Sequence, residues 1–333
     1  MINIFGVVSV VLTFALIILV HEFGHFLFAK LLGFRVEEFA IGFGKKLWSI
    51  KKGETVYSIR AIPLGGFNNL PEIDAMDAKI TWSFYWRRFI ILAAGGVFNI
   101  VSAIIGLFML FYAVGYDAPT STIKEVIADK PAYNVLLPQD KILKINNQEY
   151  QSIANSQFIK ESKDLEIEVE RNGSPMTLHI HKNVNDSLGI KFVTEHQTLN
   201  AEKSLVATKV ILEKFGDMMG EFFTTVKSAP ASESITSLSG PIGVTTSMYQ
   251  TRESMGFMGL GFMAAFISLQ IGIFNLFPIP LLDGGRIVVD TIQLLTKNSL
   301  NNKGIAIIQY SGLAIIGFIF LCGTGSDIYR LIK

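Results

Sequence analysis

Residues 1–34 read MINIFGVVSVVLTFALIILVHEFGHFLFAKLLGF. The first twenty are uncharged and mostly apolar, and His21, Glu22 and His25 follow within five residues. At about 1.5 Å rise per residue, a helix of this length crosses a hydrocarbon core of about 30 Å. Ionisable side chains at that depth are costly, and they usually mark a functional site. We therefore predict a transmembrane helix that carries such a site.

The spacing of these three residues predicts a zinc site. His21 and His25 are four residues apart, so both imidazoles lie on one helix face and can reach one metal ion. Zinc sites that activate water use three protein ligands and leave the fourth position open. Glu22 lies beside the first histidine, where its carboxylate can accept a proton from water whose pKa zinc lowers to about 7. We expect His21 and His25 as ligands and Glu22 as the base.

Composition indicates a membrane protein. The 333 residues are 50% hydrophobic and only 17% charged, against roughly 25% charged in soluble domains. A net charge of +1 gives no indication of nucleic-acid binding. The single cysteine, Cys322, excludes disulfides within the chain and zinc sites built from several cysteines. Because residues 1–20 lack a basic start and a small-residue cleavage site, we predict that this helix is retained.

Four stretches are long and apolar enough to span a membrane, at about 2–32, 89–116, 254–280 and 304–326. They predict a polytopic α-helical protein whose membrane core has two parts. The first part covers residues 1–117 and the second covers residues 254–333.

The region between these two parts has the composition of a soluble domain. Five alternating runs within 118–195 predict short strands of an inserted β-rich domain. We predict a helical region over 196–253, in which the stretch 201–228 has an apolar face with helical spacing. We expect that amphipathic helix to pack on the membrane surface or on the β-rich domain.

Loop 35–67 predicts a β-hairpin that turns at residues 51–54. Its apolar, glycine-flanked arms suit a membrane-associated element, although an ordinary cytoplasmic hairpin fits as well. The loops before residue 89 and after residue 282 are rich in Lys and Arg, which places both in the cytoplasm. The 118–195 domain is then on the outer side.

A third zinc ligand has two kinds of candidate. Three histidines lie on strand-like segments of the β-rich domain, where surface positions are expected: His179, His181 and His196. Asp283 instead follows the third apolar segment in NLFPIPLLDGGR, whose prolines would break the helix. We favour Asp283 as the ligand; the alternative is an N-cap for a helix over 284–296.

HEFGH on the first apolar helix and NLFPIPLLDGG after the third resemble the site-2 protease family of intramembrane zinc metalloproteases. The resemblance is closest to the bacterial regulator-of-sigma-E type, whose further motifs correspond to PLGGF at 63–67, AAGGVFN at 93–99 and SGPIGV at 239–244. In the second of these, Gly95 and Gly96 suit close helix packing. A direct catalytic role for Asn99 is left open.

The resemblance implies a zinc metalloendopeptidase of the bacterial inner membrane, with its active site toward the cytoplasm. It implies Zn²⁺ held by His21, His25 and Asp283, with Glu22 as base and Asn275 holding an extended substrate. The hairpin of 35–67 would be a membrane-reentrant element that lines the cleft. Expected substrates are transmembrane segments of single-pass proteins, such as anti-sigma factors or remnant signal peptides, cut after a first cleavage.

The same resemblance implies that residues 118–195 form one periplasmic PDZ domain. The sequence departs from the family pattern here, because Val135 and Gln139 replace two turn glycines while Asp140 and Ile142 are kept. Peptide capture by this domain is therefore open. The competing functions are an inactive membrane PDZ-type binding protein and a transporter; the zinc-ligand spacing and the intact Glu22 disfavour them.

Overall fold

The computed structural model describes residues 4–75, 80–150, 158–159, 161–184, 186–228 and 240–332. The chain divides into two compact units. One comprises Met1–Tyr112 together with Asn200–Lys333, and the other is Ala113–Leu199.

Helices make up most of the first unit. Those in the described part of the chain are α1 (Ile4–Leu31), α2 (Pro71–Asp74), α3 (Trp82–Met109, continued by a π-turn over Leu110–Val114), α4 (Ala201–Ser228), α5 (Pro241–Asn275), α6 (Asp283–Thr296) and α7 (Asn302–Ile332). Among the described residues, four stretches are long and apolar enough to cross a membrane: Gly6–Leu31, Trp82–Val114, Met255–Asn275 and Lys303–Arg330. The four predicted spans are therefore present, with different ends.

The second span begins at Trp82 rather than near residue 89. Thr81 caps α3, since its hydroxyl accepts a hydrogen bond from the Phe84 backbone N–H at 3.4 Å. The sequence predicts that this span begins at residue 89, because Arg87 and Arg88 come before it and charged residues usually mark a membrane boundary. Arg88 is instead buried inside the unit, with 1% of its surface exposed.

The third span ends at Asn275, before the predicted limit of 280. Pro278 and Pro280 follow, and neither has a backbone N–H to continue the helix. Gly256 interrupts α5 near its middle with φ +64°, a left-handed conformation that favours glycine. The start of α5 is held by Asp327 of α7, whose carboxylate accepts from the backbone N–H groups of Gly240 (3.1 Å) and Gly243 (2.7 Å).

Two long strands, β1 (Glu38–Lys52) and β2 (Thr55–Asn69), form the predicted hairpin, with Gly53 and Glu54 at its turn. The first residues of β1, 38–41, lie between two segments of β2, residues 56–59 and 66–69. Among the described residues, segment 66–69 pairs only with 38–41, so it lies at an edge of this small sheet.

A partly buried carboxylate ties the strands of the hairpin together. Glu38 accepts hydrogen bonds from Ser58 at 2.6 Å and from Arg60 at 2.8 Å. Burial by itself raises the pKa of Glu38, but these bonds and the nearby Lys46 outweigh it and lower that pKa below its ordinary value. The carboxylate therefore stays ionised and keeps both partners.

The described residues of the second unit form a β-sheet of six strands: β3 (Tyr116–Val126), β4 (Lys141–Ile145), β5 (Gln148–Glu149), β6 (Asp164–Arg171), β7 (Ser174–His181) and β8 (Ile190–Gln197). The order is β7-β6-β4-β3-β8, with β5 paired to β4. Each of the five runs predicted as strands overlaps one of these strands. Asp140, buried before β4, accepts two hydrogen bonds of 2.7 Å from Arg171. Burial alone would raise the pKa of Asp140, and these bonds lower it.

The amphipathic helix α4 packs within the first unit. Phe215 and Met219 of α4 share a hydrophobic cluster with Ala103 and Leu107 of α3, and Ala265 and Leu269 of α5 complete it. The structure thus gives α3 and α5 as partners of this face, which the sequence analysis did not name. Amphipathic spacing identifies a buried face but not the partner that covers it.

Helix α6 is fixed to α3 by a buried ion pair. Arg88 Nε lies 2.9 Å from Asp290 Oδ2, and their side chains are 1% and 3% exposed. The N–H groups at Nε and Nη2 do not point at an acceptor, so charge rather than hydrogen-bond geometry holds the pair. Tyr85 and Thr291 add a hydroxyl contact of 3.0 Å between the same helices. Because α6 begins at Asp283, this contact region sets where that aspartate lies.

Replacing Arg88 by Met should lower the free energy of unfolding by about 3–5 kcal/mol, because it leaves Asp290 charged, buried and unpaired. Unfolding in detergent micelles, followed by circular dichroism, measures the change. The double variant Arg88→Met, Asp290→Leu should recover most of the loss. As a control, Lys191→Met breaks the exposed pair with Glu125 and should change stability by less than about 1 kcal/mol. A similarly small loss for Arg88→Met would contradict a structural ion pair.

Candidate metal centre

Three side chains converge on one point in the first unit. Helix α1 brings His21 and His25, and the first residue of α6 brings Asp283. Both histidine Nε2 atoms lie 3.3 Å from Asp283 Oδ2, and they lie 3.1 Å from each other. The two imidazoles are 9% and 7% exposed. Among the described residues, this is the group whose ligand atoms are close enough to hold a metal ion.

The spacing of these atoms suits a tetrahedral zinc ion. Bonds of about 2.0–2.1 Å at tetrahedral angles separate neighbouring ligand atoms by roughly 3.3–3.4 Å. The observed separations are 3.1, 3.3 and 3.3 Å. Asp283 Oδ2 is buried and accepts no well-formed hydrogen bond from the described residues. Two imidazole nitrogens and a carboxylate oxygen with these separations fit zinc and leave its fourth position for a further ligand.

The protonation of His25 is fixed by the backbone of α3. Its Nδ1 lies 2.8 Å from the carbonyl oxygen of Ile91, and a carbonyl only accepts hydrogen bonds. Nδ1 therefore carries the proton and donates, which leaves the Nε2 lone pair free for a metal. The His21 Nδ1 atom is buried and has no hydrogen-bond partner among the described residues.

Gly95 of α3 makes room for both imidazole rings. A Cβ atom at this position would lie 2.7 Å from Cε1 of His21 and 2.7 Å from Cε1 of His25. Real Cβ atoms do not come that close, so any larger residue would displace the rings. The sequence indicated helix packing for Gly95, and the structure shows that the surface packed against it includes the two histidines.

Asp283 is the first residue of α6 rather than its N-cap. Leu282 occupies the cap position, and no side chain caps it. The capping alternative for Asp283 is therefore wrong, and its carboxylate faces the histidines instead. The next two residues, Gly284 and Gly285, lie against the carbonyl oxygens of Leu276 and Ile279, where a side chain would not fit. This close contact holds the start of α6 against the segment that follows α5.

Glu22 has a polar partner that the sequence analysis missed. Asn68, near the end of β2, donates from Nδ2 to Glu22 Oε2 at 2.8 Å and to the Glu22 carbonyl oxygen at 2.6 Å. The pairing crosses 46 residues of sequence, so no spacing rule points to it. The only local signal is a pair of asparagines, Asn68 and Asn69, directly after the uncharged, mostly apolar stretch 61–67.

The remaining candidates are not members of this group of three. His179, His181 and His196 are exposed on the β-sheet of the second unit, and the last two pair with Asp164 and Asp117. Asn275 is the half-buried last residue of α5. Asn99 is fully buried, and its side-chain amide has no hydrogen-bond partner among the described residues. Its role stays open.

Comparison with known proteins agrees with this geometry. The model of Peptidase family M50 matches residues 9–319. The chain belongs to peptidase family M50. A zinc metalloprotease of Clostridium perfringens is 30% identical over 97% of this chain and 98% of its own length. One of Fusobacterium nucleatum is 31% identical over 96% and 98%.

A third relative carries a more specific name. The regulator of sigma-W protease RasP of Bacillus subtilis is 26% identical over 98% of both chains. The resemblance to site-2 proteases is therefore confirmed, and this M50 protein is a zinc metalloendopeptidase. With four apolar helices of spanning length, it is a multi-pass membrane protein.

Replacing Gly95 by Ala should lower zinc affinity by roughly 10- to 100-fold, because the new methyl group displaces both imidazoles. Competition with a chromogenic chelator measures the affinity of the purified protein. Gly106→Ala is the matched control on the same helix, since a Cβ there meets no atom within 4 Å. Equal zinc affinities for the two variants would show that Gly95 does not shape the site.

Proposed function

We propose that this M50 protein hydrolyses peptide bonds within transmembrane segments of single-pass membrane proteins. In this proposal His21, His25 and Asp283 hold Zn²⁺ and Glu22 is the general base. The main support for this proposal is the position of the three candidate ligands. Two of them, His21 and His25, lie on Gly6–Leu31, a helix apolar enough to cross a membrane, so the chemistry takes place at membrane depth.

The chemistry needs one group that moves a proton. When bound, zinc lowers the pKa of water and polarises a peptide carbonyl. The Glu22 carboxylate accepts the proton that water loses as its oxygen attacks the carbonyl carbon. Glu22 then gives that proton to the amide nitrogen as the C–N bond breaks. Asn68 holds one carboxylate oxygen of Glu22 through a hydrogen bond of 2.8 Å and leaves the other to take the proton.

The substrate must be extended at the cleaved bond, because a helix shields its own backbone. We propose that Asn275 and the hairpin of 35–67 hold it in this form. The hairpin exposes large apolar side chains, among them Phe43, Leu47 and Trp48, which suits contact with lipid. The RasP relative is named regulator of sigma-W protease, and in keeping with that name we propose anti-sigma factors as one substrate class. Remnant signal peptides are a second class with the same chemistry.

The charges of the loops indicate on which side of the membrane each region lies. We propose the bacterial inner membrane, with the metal centre toward the cytoplasm and the β-rich region 118–195 as a PDZ-like domain outside. The loop that contains β1 and β2 is rich in Lys and Arg, which favours the cytoplasmic side.

An inactive membrane binding protein is the second candidate. It would not need a base, yet Glu22 is present and is held by two hydrogen bonds from Asn68. The zinc metalloprotease relatives also favour the enzyme. We therefore prefer the protease.

Glu22→Gln should keep zinc and fold but lower cleavage by about 10²- to 10⁴-fold, because only the proton acceptor is lost. The assay follows cleavage of a fused transmembrane substrate in micelles, with metal analysis of the same sample. His21→Ala is the companion variant and should lose zinc as well as activity. Near wild-type hydrolysis by Glu22→Gln would refute this mechanism.

Membrane sidedness can be tested with single cysteines in a Cys322→Ser background. Lys52→Cys, at the hairpin turn, should react with an impermeant thiol reagent only from the cytoplasmic side. Asn172→Cys, in the turn between β6 and β7, should react only from outside. Both positions are exposed, so burial does not limit labelling. The reverse pattern would invert the proposed orientation.

A further inference from the structure

The contact between Asn68 and Glu22 involves only one end of the Asn68 amide. Nδ2 donates one hydrogen bond to Glu22 Oε2 at 2.8 Å and another to the Glu22 carbonyl oxygen at 2.6 Å. An amide nitrogen has two N–H groups, so both are used. Glu22 is thereby held through its side chain and its backbone at once.

The orientation of the Asn68 amide is not open to a flip. A carboxylate and a carbonyl can only accept, so the donor end of the amide must face Glu22. Oδ1 then points away from Glu22. This oxygen is buried and has no hydrogen-bond donor among the described residues. A buried acceptor without a donor is unfavourable and indicates a partner that arrives from elsewhere.

Asn68 also lies where an extended peptide could reach it. Segment 66–69 is at the edge of the hairpin sheet. Gly66 in this segment is close to the base, because a Cβ there would lie 3.8 Å from Glu22 Cγ. The free acceptor therefore lies beside the proposed general base and on an edge strand.

We propose that Asn68 joins the base to the substrate. Its Nδ2 positions the Glu22 carboxylate, and its Oδ1 accepts a hydrogen bond from one backbone N–H of the extended substrate, next to the cleaved bond. This inference rests on the proposed protease function. It assigns Asn68 the task of setting which peptide bond faces Glu22, since the two hydrogen-bonding ends of one amide have a fixed separation.

The first measurement is cleavage by Asn68→Leu, a variant of similar size without donor or acceptor. The probe is a synthetic signal peptide of roughly 25 residues in micelles, with a fluorophore and a quencher. We expect kcat to fall about 10- to 100-fold because the carboxylate is no longer held in place, with zinc content unchanged. Asn69→Leu is the matched control: the neighbouring asparagine is exposed, bonds Glu37 and should keep wild-type kcat.

The second measurement tests the substrate bond itself. Peptides in which one backbone N–H near the cleaved bond is replaced by an ester oxygen lose a single donor each. At one position the ester should slow cleavage by the wild type by roughly three- to tenfold, which corresponds to the loss of one hydrogen bond. The same ester should not slow cleavage by Asn68→Leu any further, because that variant has already lost the acceptor. Asn68→Ala provides the same comparison if the leucine variant fails to fold.

The outcomes separate this inference from the protease function. If every ester slows the asparagine variants as much as the wild type, Oδ1 binds no substrate N–H and the inference is wrong. It is also wrong if Asn68→Leu keeps wild-type kcat. If the wild type binds no zinc, or Glu22→Gln cleaves the same peptide, the proposed function itself fails.

Discussion

The membrane core is organised around two imidazoles and one carboxylate that meet within 3.3 Å of each other. Such groups are unfavourable in an apolar interior unless a shared partner compensates them, and zinc is the partner that their separations fit. Several other features serve this convergence. Gly95 leaves space for the rings, the Ile91 carbonyl orients His25, and the Arg88–Asp290 pair fixes the helix that begins at Asp283.

Local pattern predicted much of this architecture because its signals lie within a few residues of each other. Four apolar runs predicted four helices of spanning length, and the i, i+4 spacing placed His21 and His25 on one face. Asp283 stood out because an acid follows two prolines beside an apolar run. The structure brings these three residues together.

The features that the sequence analysis did not predict depend on interactions between distant segments. In the sequence, Arg88 resembles a charge at the membrane boundary, because its partner Asp290 lies about two hundred residues later in the chain. The apolar face of helix α4 does not by itself indicate that α3 and α5 are the helices against which it packs. Asn68 was overlooked for the same reason, since only tertiary structure brings a strand end to Glu22.

The candidate metal centre draws its three side chains from opposite ends of the chain, since His21 and His25 lie near the start and Asp283 lies within the last sixth. The ribosome therefore adds the last of these three residues, Asp283, late in synthesis. A nascent chain that stops before Asp283 can present only two of the three groups to a metal, and one that stops before Asp290 lacks the partner of Arg88. Premature termination in either region therefore yields a product without a finished centre.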